Sequence, residues 1–233
     1  MSAPIYGLQK TTLLDYPGFV ASTIFLGSCN FRCPYCHNSS LITPSSTETP
    51  ISEEQLFRHL IKRRSILEGV CITGGEPTLY SSLPEFIQHI KQLGYLVKLD
   101  TNGTNPSMLQ YLLNHQLIDY VAMDIKGSKD HYGLAAGRPN LTLSSIETSV
   151  KLLKESHIPY EFRTTLVEEL HSPEDMKQIG EWLKGPSSYY LQNFRPSDGV
   201  PNKTFHPLSK ERLQEFLSIL KFNLPNAQIR GDI

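Results

Sequence analysis

The sequence predicts one α/β domain built on a mostly parallel sheet covered by helices, and three observations carry that expectation. Short apolar runs alternate with helix-period segments from residue 19 almost to the C-terminus, making six β–α units. The strands are mostly apolar, as strands buried under helices are. The 233 residues suffice for one large domain with a sizeable core, yet stop short of the eight units of a complete barrel. An incomplete, opened barrel fits this count, as does a doubly wound open sheet. Both place chemistry at the C-terminal ends of the strands.

"FVASTIFL" (19–26) is the first strand, so residues 1–18 read as an N-terminal extension to a β/α core over 19–230. It runs into "GSCNFRCPYCHNSS" (27–40), where Cys29, Cys33 and Cys36 lie within eight positions and His37 follows. Three thiolates on a tight loop suit three corners of an iron–sulfur cube. Zinc in a Cys3His site with His37 as fourth ligand is the alternative, although zinc ligands usually come as two separated pairs. "TPSSTETP" (43–50) is a loop, and Ser52 with acidic residues after it starts a helix, "SEEQLFRHLIKRRSIL".

"EGVCIT" is the second strand, broken by Gly74-Gly75-Glu76-Pro77. Paired glycines at a strand end let a ligand approach the backbone, and Glu76 offers a carboxylate to a cationic group; a plain tight turn is the other reading. Cys71, alone in that apolar strand, reads as a small buried hydrophobe. Helix "LPEFIQHIKQLG" leads to strand "LVKLD" (96–100) and the polar turn Asp100-Thr101-Asn102-Gly103, suited to sugar hydroxyls or to an Asx turn before helix "PSMLQYLLNH".

Strand "IDYVAMDIK" (118–126) puts Asp124 and Lys126 on one face. After helix "SSIETSVKLLKES", strand "YEFRTTLV" (160–167) carries Arg163 in an apolar setting that demands an anionic partner. Helix "PEDMKQIGEWLK" precedes strand "YYLQNF" (189–194), which opens into a loop with Gln192, Asn193, Arg195 and Asp198. Helix "SKERLQEFLSIL" follows, and "AQIRG" reads as a last edge strand. Six consecutive strand ends bearing chemically useful residues describe a ligand pocket at a barrel mouth.

Composition narrows the partners. A net charge of −1 and a pI near 6.7 argue against electrostatic capture of nucleic acid, and the run Lys62-Arg63-Arg64 reads as a solvated helix face. No apolar stretch reaches membrane-span length, and the N-terminus lacks a secretory pattern. With its clustered thiols, the chain is expected in a reducing cytoplasm.

The spacing Cys29-x3-Cys33-x2-Cys36, followed one strand later by Gly74-Gly75-Glu76-Pro77, resembles the radical S-adenosylmethionine (radical SAM) superfamily. "YCHN" (35–38), "DTNG" (100–103) and "DIK" (124–126) are similar to the activating enzymes of glycyl-radical enzymes. The opening "GLQKTTLLDYPG" looks most like the anaerobic ribonucleoside-triphosphate reductase activating proteins. The resemblance covers nearly the whole chain and implies a partial (β/α)6 barrel open on one side. It implies one [4Fe–4S] cluster on Cys29, Cys33 and Cys36, its fourth iron chelated by the amine and carboxylate of SAM. Gly74, Gly75, Glu76 and Pro77 would then meet the amino group, while Tyr35 and His37 would lie along the adenine. Asp100, Asn102, Lys126 and Arg163 would line the ribose and carboxylate, and Asp100 with Asp124 would bind a monovalent cation. Related activases carry a His near the cofactor after the sixth strand; here Phe194-Arg195 stands there, so Arg195 is the candidate for that contact.

The reaction implied is reductive cleavage of SAM to methionine and a 5′-deoxyadenosyl radical, which takes hydrogen from a glycine of a glycyl-radical enzyme. With four cysteines in all, the chain holds one cluster, so the electron comes from an external donor such as flavodoxin or ferredoxin. A small molecule, a peptide or an RNA is the alternative target. A zinc interaction module, or an electron carrier with Cys71 as fourth ligand, leaves GGEP, Asp124–Lys126 and Arg163 unexplained.

Overall fold

Eight strands form one sheet in sequential order: β1 (Ile5–Thr12), β2 (Ala21–Leu26), β3 (Gly69–Gly74), β4 (Leu96–Thr101), β5 (Tyr120–Asp124), β6 (Tyr160–Leu166), β7 (Ser188–Asn193) and β8 (Ala227–Arg230). These assignments come from a computed structural model that describes residues 3–45 and 47–231; Ser46, within the loop expected over 43–50, lies outside the described residues. β1 runs antiparallel to β2, and every later neighbour pair is parallel. The order ends at β1 and β8 without closing, so the architecture is an open partial barrel.

The six β–α units expected from the sequence are β2 to β7 with their helices. Two edge strands flank them, β8 having been expected and β1 not. β1 was hidden in the presumed extension because "IYGLQKTT" is half-exposed for most of its length and carries no apolar alternation. It is a polar edge strand, stabilised by pairing with β2 rather than by burial.

The principal helices are α1 (Ser39–Ile42), α2 (Glu53–Lys62), α3 (Leu83–Gln92), α4 (Pro106–Asn114), α5 (Tyr132–Ala135), α6 (Ser144–Glu155), α7 (Pro173–Leu183) and α8 (Lys210–Lys221). Ser52 caps α2 in a reciprocal box with Gln55, and Glu53 and Glu54 occupy the positive first turn. α7 repeats the device with Ser172 and Asp175. None of the helices is long and apolar enough to cross a membrane, among the described residues.

A period-two split within the strands positions the site. Successive strand residues face opposite sides, so Val70 and Ile72, Val97 and Leu99, and Val121 and Met123 share the face that joins helix residues such as Leu56, Phe86 and Leu109 in one core. The opposite face carries Cys71, Lys98, Asp100, Asp124, Glu161 and Arg163. Register runs across it in rows, Thr23–Cys71–Lys98–Tyr120 and, nearer the strand ends, Asp124–Arg163–Tyr190. Strands that read as nearly continuous apolar runs therefore line the barrel with polar groups.

Candidate active site

A cavity of about 1020 Å³ opens at the C-terminal ends of the parallel strands. Cys29, Cys33 and Cys36 form one wall of it. The loop that carries them is clamped from several sides. Gly75 N–H donates to Leu26 O (2.8 Å) and Glu76 N–H to Ser28 O (2.8 Å), joining the end of β3 to the start of the loop. Arg32 N–H donates to Ala136 O (2.9 Å), and Asn202 N–H donates to Pro34 O (3.0 Å).

The double glycine serves this clamp directly. Gly74 has φ +113, and a Cβ on Gly75 would sit 1.9 Å from Ser28 O. The backbone that comes close is the chain's own cysteine loop. Gly75→Ala is expected to destabilise the fold by about 3 kcal/mol through that overlap. A lower urea midpoint would show it, and an unchanged midpoint would mean that the loop yields freely.

Glu76 is buried and turned into the structure. Its Oε1 accepts from Thr78 N–H (3.1 Å), from the Thr78 hydroxyl (2.5 Å) and from Thr101 Oγ1 (2.7 Å). Oε2 accepts from Asn102 N–H alone, at 2.6 Å, so it is the oxygen with capacity for a ligand amine. Burial pushes the carboxyl above its ordinary value despite these donors. Pro77 sits behind, at the first position of a 3-10 turn (Pro77–Leu79), and does not line the cavity.

The remaining expected residues gather as follows. Asn102 lines the cavity with its side chain tied to Asn30 Oδ1 (2.8 Å). Tyr35 lines it as well, while its hydroxyl is buried away from solvent and has no partner among the described residues. His37 places Nε2 2.7 Å from Arg195 O, its ring beside Phe194. Arg195 is exposed at the rim.

Asp124, Lys126, Asp100 and Arg163 form one charged network. Arg163 Nε donates to Asp124 Oδ1 (2.5 Å) and Nη2 to Asp100 Oδ2 (3.0 Å). Lys126 Nζ donates to Asp124 Oδ2 (2.8 Å), and Lys98, buried in β4, pairs with Asp100 Oδ1. Burial would raise both carboxyls, but Arg163 and the lysines overcome it and hold them below the usual range. Both aspartates are thus depressed in the folded state. The stability they contribute is fully present above about pH 4 and is lost as pH falls through the folded values. The stability gap between wild type and Asp124→Asn is expected to be flat from about pH 7 to 5 and to narrow below about pH 4. A gap that widens on acidification would contradict this network.

The same network bears on the monovalent cation expected beside Asp100 and Asp124: each of their four carboxylate oxygens accepts from a protein cation, and three positive side chains face the two negative ones.

Three thiols on one cavity wall, Cys29, Cys33 and Cys36, are a donor set of the kind that holds an iron–sulfur cluster. Among the described residues, no three His, Cys, Asp or Glu side chains could share a single metal ion. Cubane ligands each take a different iron and need no common point, whereas zinc ligands must converge. His37, engaged at Arg195, is not directed into a Cys3His set. Phe31 N–H points at Cys29 Sγ (3.4 Å), the kind of contact that tunes cluster sulfurs. Burial raises all three thiols, and the Lys126 ammonium opposes the rise at each. Cys71 lies outside the cavity wall, its Sγ 3.7 Å from Asp100 Oδ1.

Several lining residues escaped the sequence reading. Leu13, Leu14, Asp15 and Pro17, between β1 and β2, stand at the cavity with both leucines exposed. Tyr190 and Arg230 line the far side. A charge inside an apolar strand singled out Arg163, and the same signal marks Lys98 and Glu161.

Comparison with known proteins agrees with this geometry. A family model described as the radical SAM superfamily matches residues 23–183. A protein of Methanocaldococcus jannaschii provisionally named a glycyl-radical enzyme activating enzyme is 32% identical over 99% of this chain and 97% of its own length. The pyruvate formate-lyase-activating enzyme of Clostridium pasteurianum is 29% identical over 54% of this chain and 53% of its own. Among solved structures, SuiB of Streptococcus suis bound to S-adenosylmethionine superposes with a TM-score of 0.65 at 16% identity, covering 88% of this chain and 48% of SuiB. Family model, full-length relative and fold agree: the chain belongs to the radical SAM superfamily of enzymes, which implies a [4Fe–4S] cluster and S-adenosylmethionine.

Proposed function

We propose that this enzyme generates a glycyl radical on a partner enzyme, using one [4Fe–4S] cluster held by Cys29, Cys33 and Cys36. The observation that carries the reading is the likeness to an activating enzyme along essentially the whole chain. The open barrel wall supports it, since a gap between β1 and β8 suits a protein loop better than a closed barrel would. When bound, the cluster supplies one low-potential electron that cleaves the carbon–sulfur bond of SAM to methionine and a 5′-deoxyadenosyl radical.

The chain's own groups bind and orient. Lys126, paired with Asp124 at the cavity wall, offers its ammonium to the ligand carboxylate. Glu76 Oε2 and the backbone of Gly74 and Gly75 receive the amine. Tyr35 and His37, both at the cavity wall, flank the adenine largely through their backbone. Asn102, fixed by Asn30, meets the ribose, and Arg195 at the rim is the candidate for the remaining cofactor contact. Asp100 acts through Arg163, holding it in place. Burial of Cys33, Tyr35 and Glu76 keeps water from the reacting centre.

The test is anaerobic. The chain is reconstituted with iron and sulfide, reduced with dithionite and given SAM, and 5′-deoxyadenosine and methionine are measured. A glycyl-radical enzyme from the same organism is then added and the glycyl doublet sought by EPR. Cluster formation without SAM cleavage would overturn the enzyme mechanism. Cleavage without a doublet would redirect the reading to a small molecule, a peptide or an RNA.

A further inference from the structure

The two strand-end acids, Asp100 on β4 and Asp124 on β5, are joined by a side chain from a third strand. Arg163 of β6 spans them, Nε on Asp124 Oδ1 at 2.5 Å and Nη2 on Asp100 Oδ2 at 3.0 Å. The outer oxygens are taken as well, Asp124 Oδ2 by Lys126 at 2.8 Å and Asp100 Oδ1 by Lys98. Arg163, Lys126 and Asp100 are all largely buried, with side-chain exposures of 17, 15 and 11%. An inorganic cation entering here would meet a surplus of positive charge in a site poorly screened by water. It would also have to displace charge-assisted hydrogen bonds to reach an oxygen.

We propose that Arg163 is the resident cation of this site. Its guanidinium stands between the two carboxylates, so the site needs no potassium or sodium to hold Asp100 and Asp124 together. The planar fork is what makes this substitution workable: two N–H groups in fixed geometry reach two acids on neighbouring strands, which a single ammonium cannot do equally well. Arg163 is a positioning residue in this role, because it aligns Asp124 and, through it, Lys126. The inference about Asp100 and Asp124 stands on the protein alone; its consequence for SAM rests on the function proposed above.

The experiment begins with the chain free of cluster and cofactor. Thermal unfolding is followed in potassium, sodium and choline chloride at equal ionic strength. The wild type is expected to melt at the same temperature in all three. A selective rise in potassium or sodium overturns the proposal. Arg163→Met, which leaves two buried acids short of a partner, is expected to melt about 10 °C lower in choline. It should regain about 5 °C in 0.1 M potassium or sodium, as a cation enters the vacated place. A folded Arg163→Met that responds equally to all three salts overturns the claim that the guanidinium stands in for an ion. Should that variant fail to fold, the wild-type comparison decides the matter by itself. In the reconstituted wild type, SAM affinity is expected to be equal in potassium and choline, and a potassium-dependent affinity overturns the proposal. Failure to bind SAM in every salt would count against the proposed function and leave the melting result standing.

Discussion

Cys33→Ser is expected to abolish SAM cleavage, to below about 1% of wild type, while the chain stays folded. Cys71→Ala is expected to keep both the cluster and the activity. The contrast follows from placement. Cys33 lies in the cavity wall between its two partners, whereas Cys71 faces Asp100 and Lys98 from within the barrel. A serine hydroxyl fits the Cys33 position at a cost of about 1–2 kcal/mol for burying a polar group, but it does not replace a thiolate on iron. Removing Cys71 leaves a small cavity and about 1 kcal/mol of lost packing. Iron content, broad visible absorption and 5′-deoxyadenosine yield are measured on both variants after identical reconstitution. If Cys33→Ser keeps its iron and still cleaves SAM, the ligand assignment is wrong. If Cys71→Ala loses the cluster, Cys71 is the fourth ligand and the electron-carrier reading returns.

The residues legible in the sequence were those whose chemistry is out of place locally. Three cysteines in eight positions, a double glycine before an acid, and an arginine in an apolar strand each stand out without knowledge of the fold. Their partners were not legible, because partnership across a sheet depends on register. Nothing in "YEFRTTL" says that Arg163 meets Asp124 directly across one strand pair and also reaches Asp100 on the next strand. Glu76 shows a different limit. Its residue type suggested a ligand contact, but the strand end at Thr101–Asn102 supplies two of its four donors and Thr78 the other two. The glycines illustrate a third, since their small size serves the close approach of Leu26 and Ser28. β1 was missed because an edge strand that faces solvent has no need for an apolar pattern.

Arg230→Met is expected to destabilise the chain by about 3 kcal/mol, a large effect for a side chain on the last, four-residue strand. Arg230 reaches past β7 to Glu161 on β6, Nη1 to Oε1 at 2.5 Å and Nη2 to Oε2 at 2.7 Å, and its guanidinium lies 3.5 Å from the Tyr190 ring centroid. It therefore straps the edge strand across the sheet at the open side of the barrel. Glu161 is fully buried while Arg230 is 28% exposed, so loss of the arginine strands the group that water cannot reach. The Tyr120 hydroxyl, 2.7 Å from Oε2, remains as a donor and keeps the loss toward the low end of the range for broken buried pairs. Replacing both partners removes the stranded charge, so Glu161→Leu combined with Arg230→Met is expected to be more stable than Arg230→Met alone. Urea unfolding of the three proteins gives the comparison. A single variant within about 0.5 kcal/mol of wild type would mean that β8 is held by its backbone pairing with β7 alone. A double variant weaker than the single would mean that Glu161 is stabilised by Tyr120 without help from Arg230.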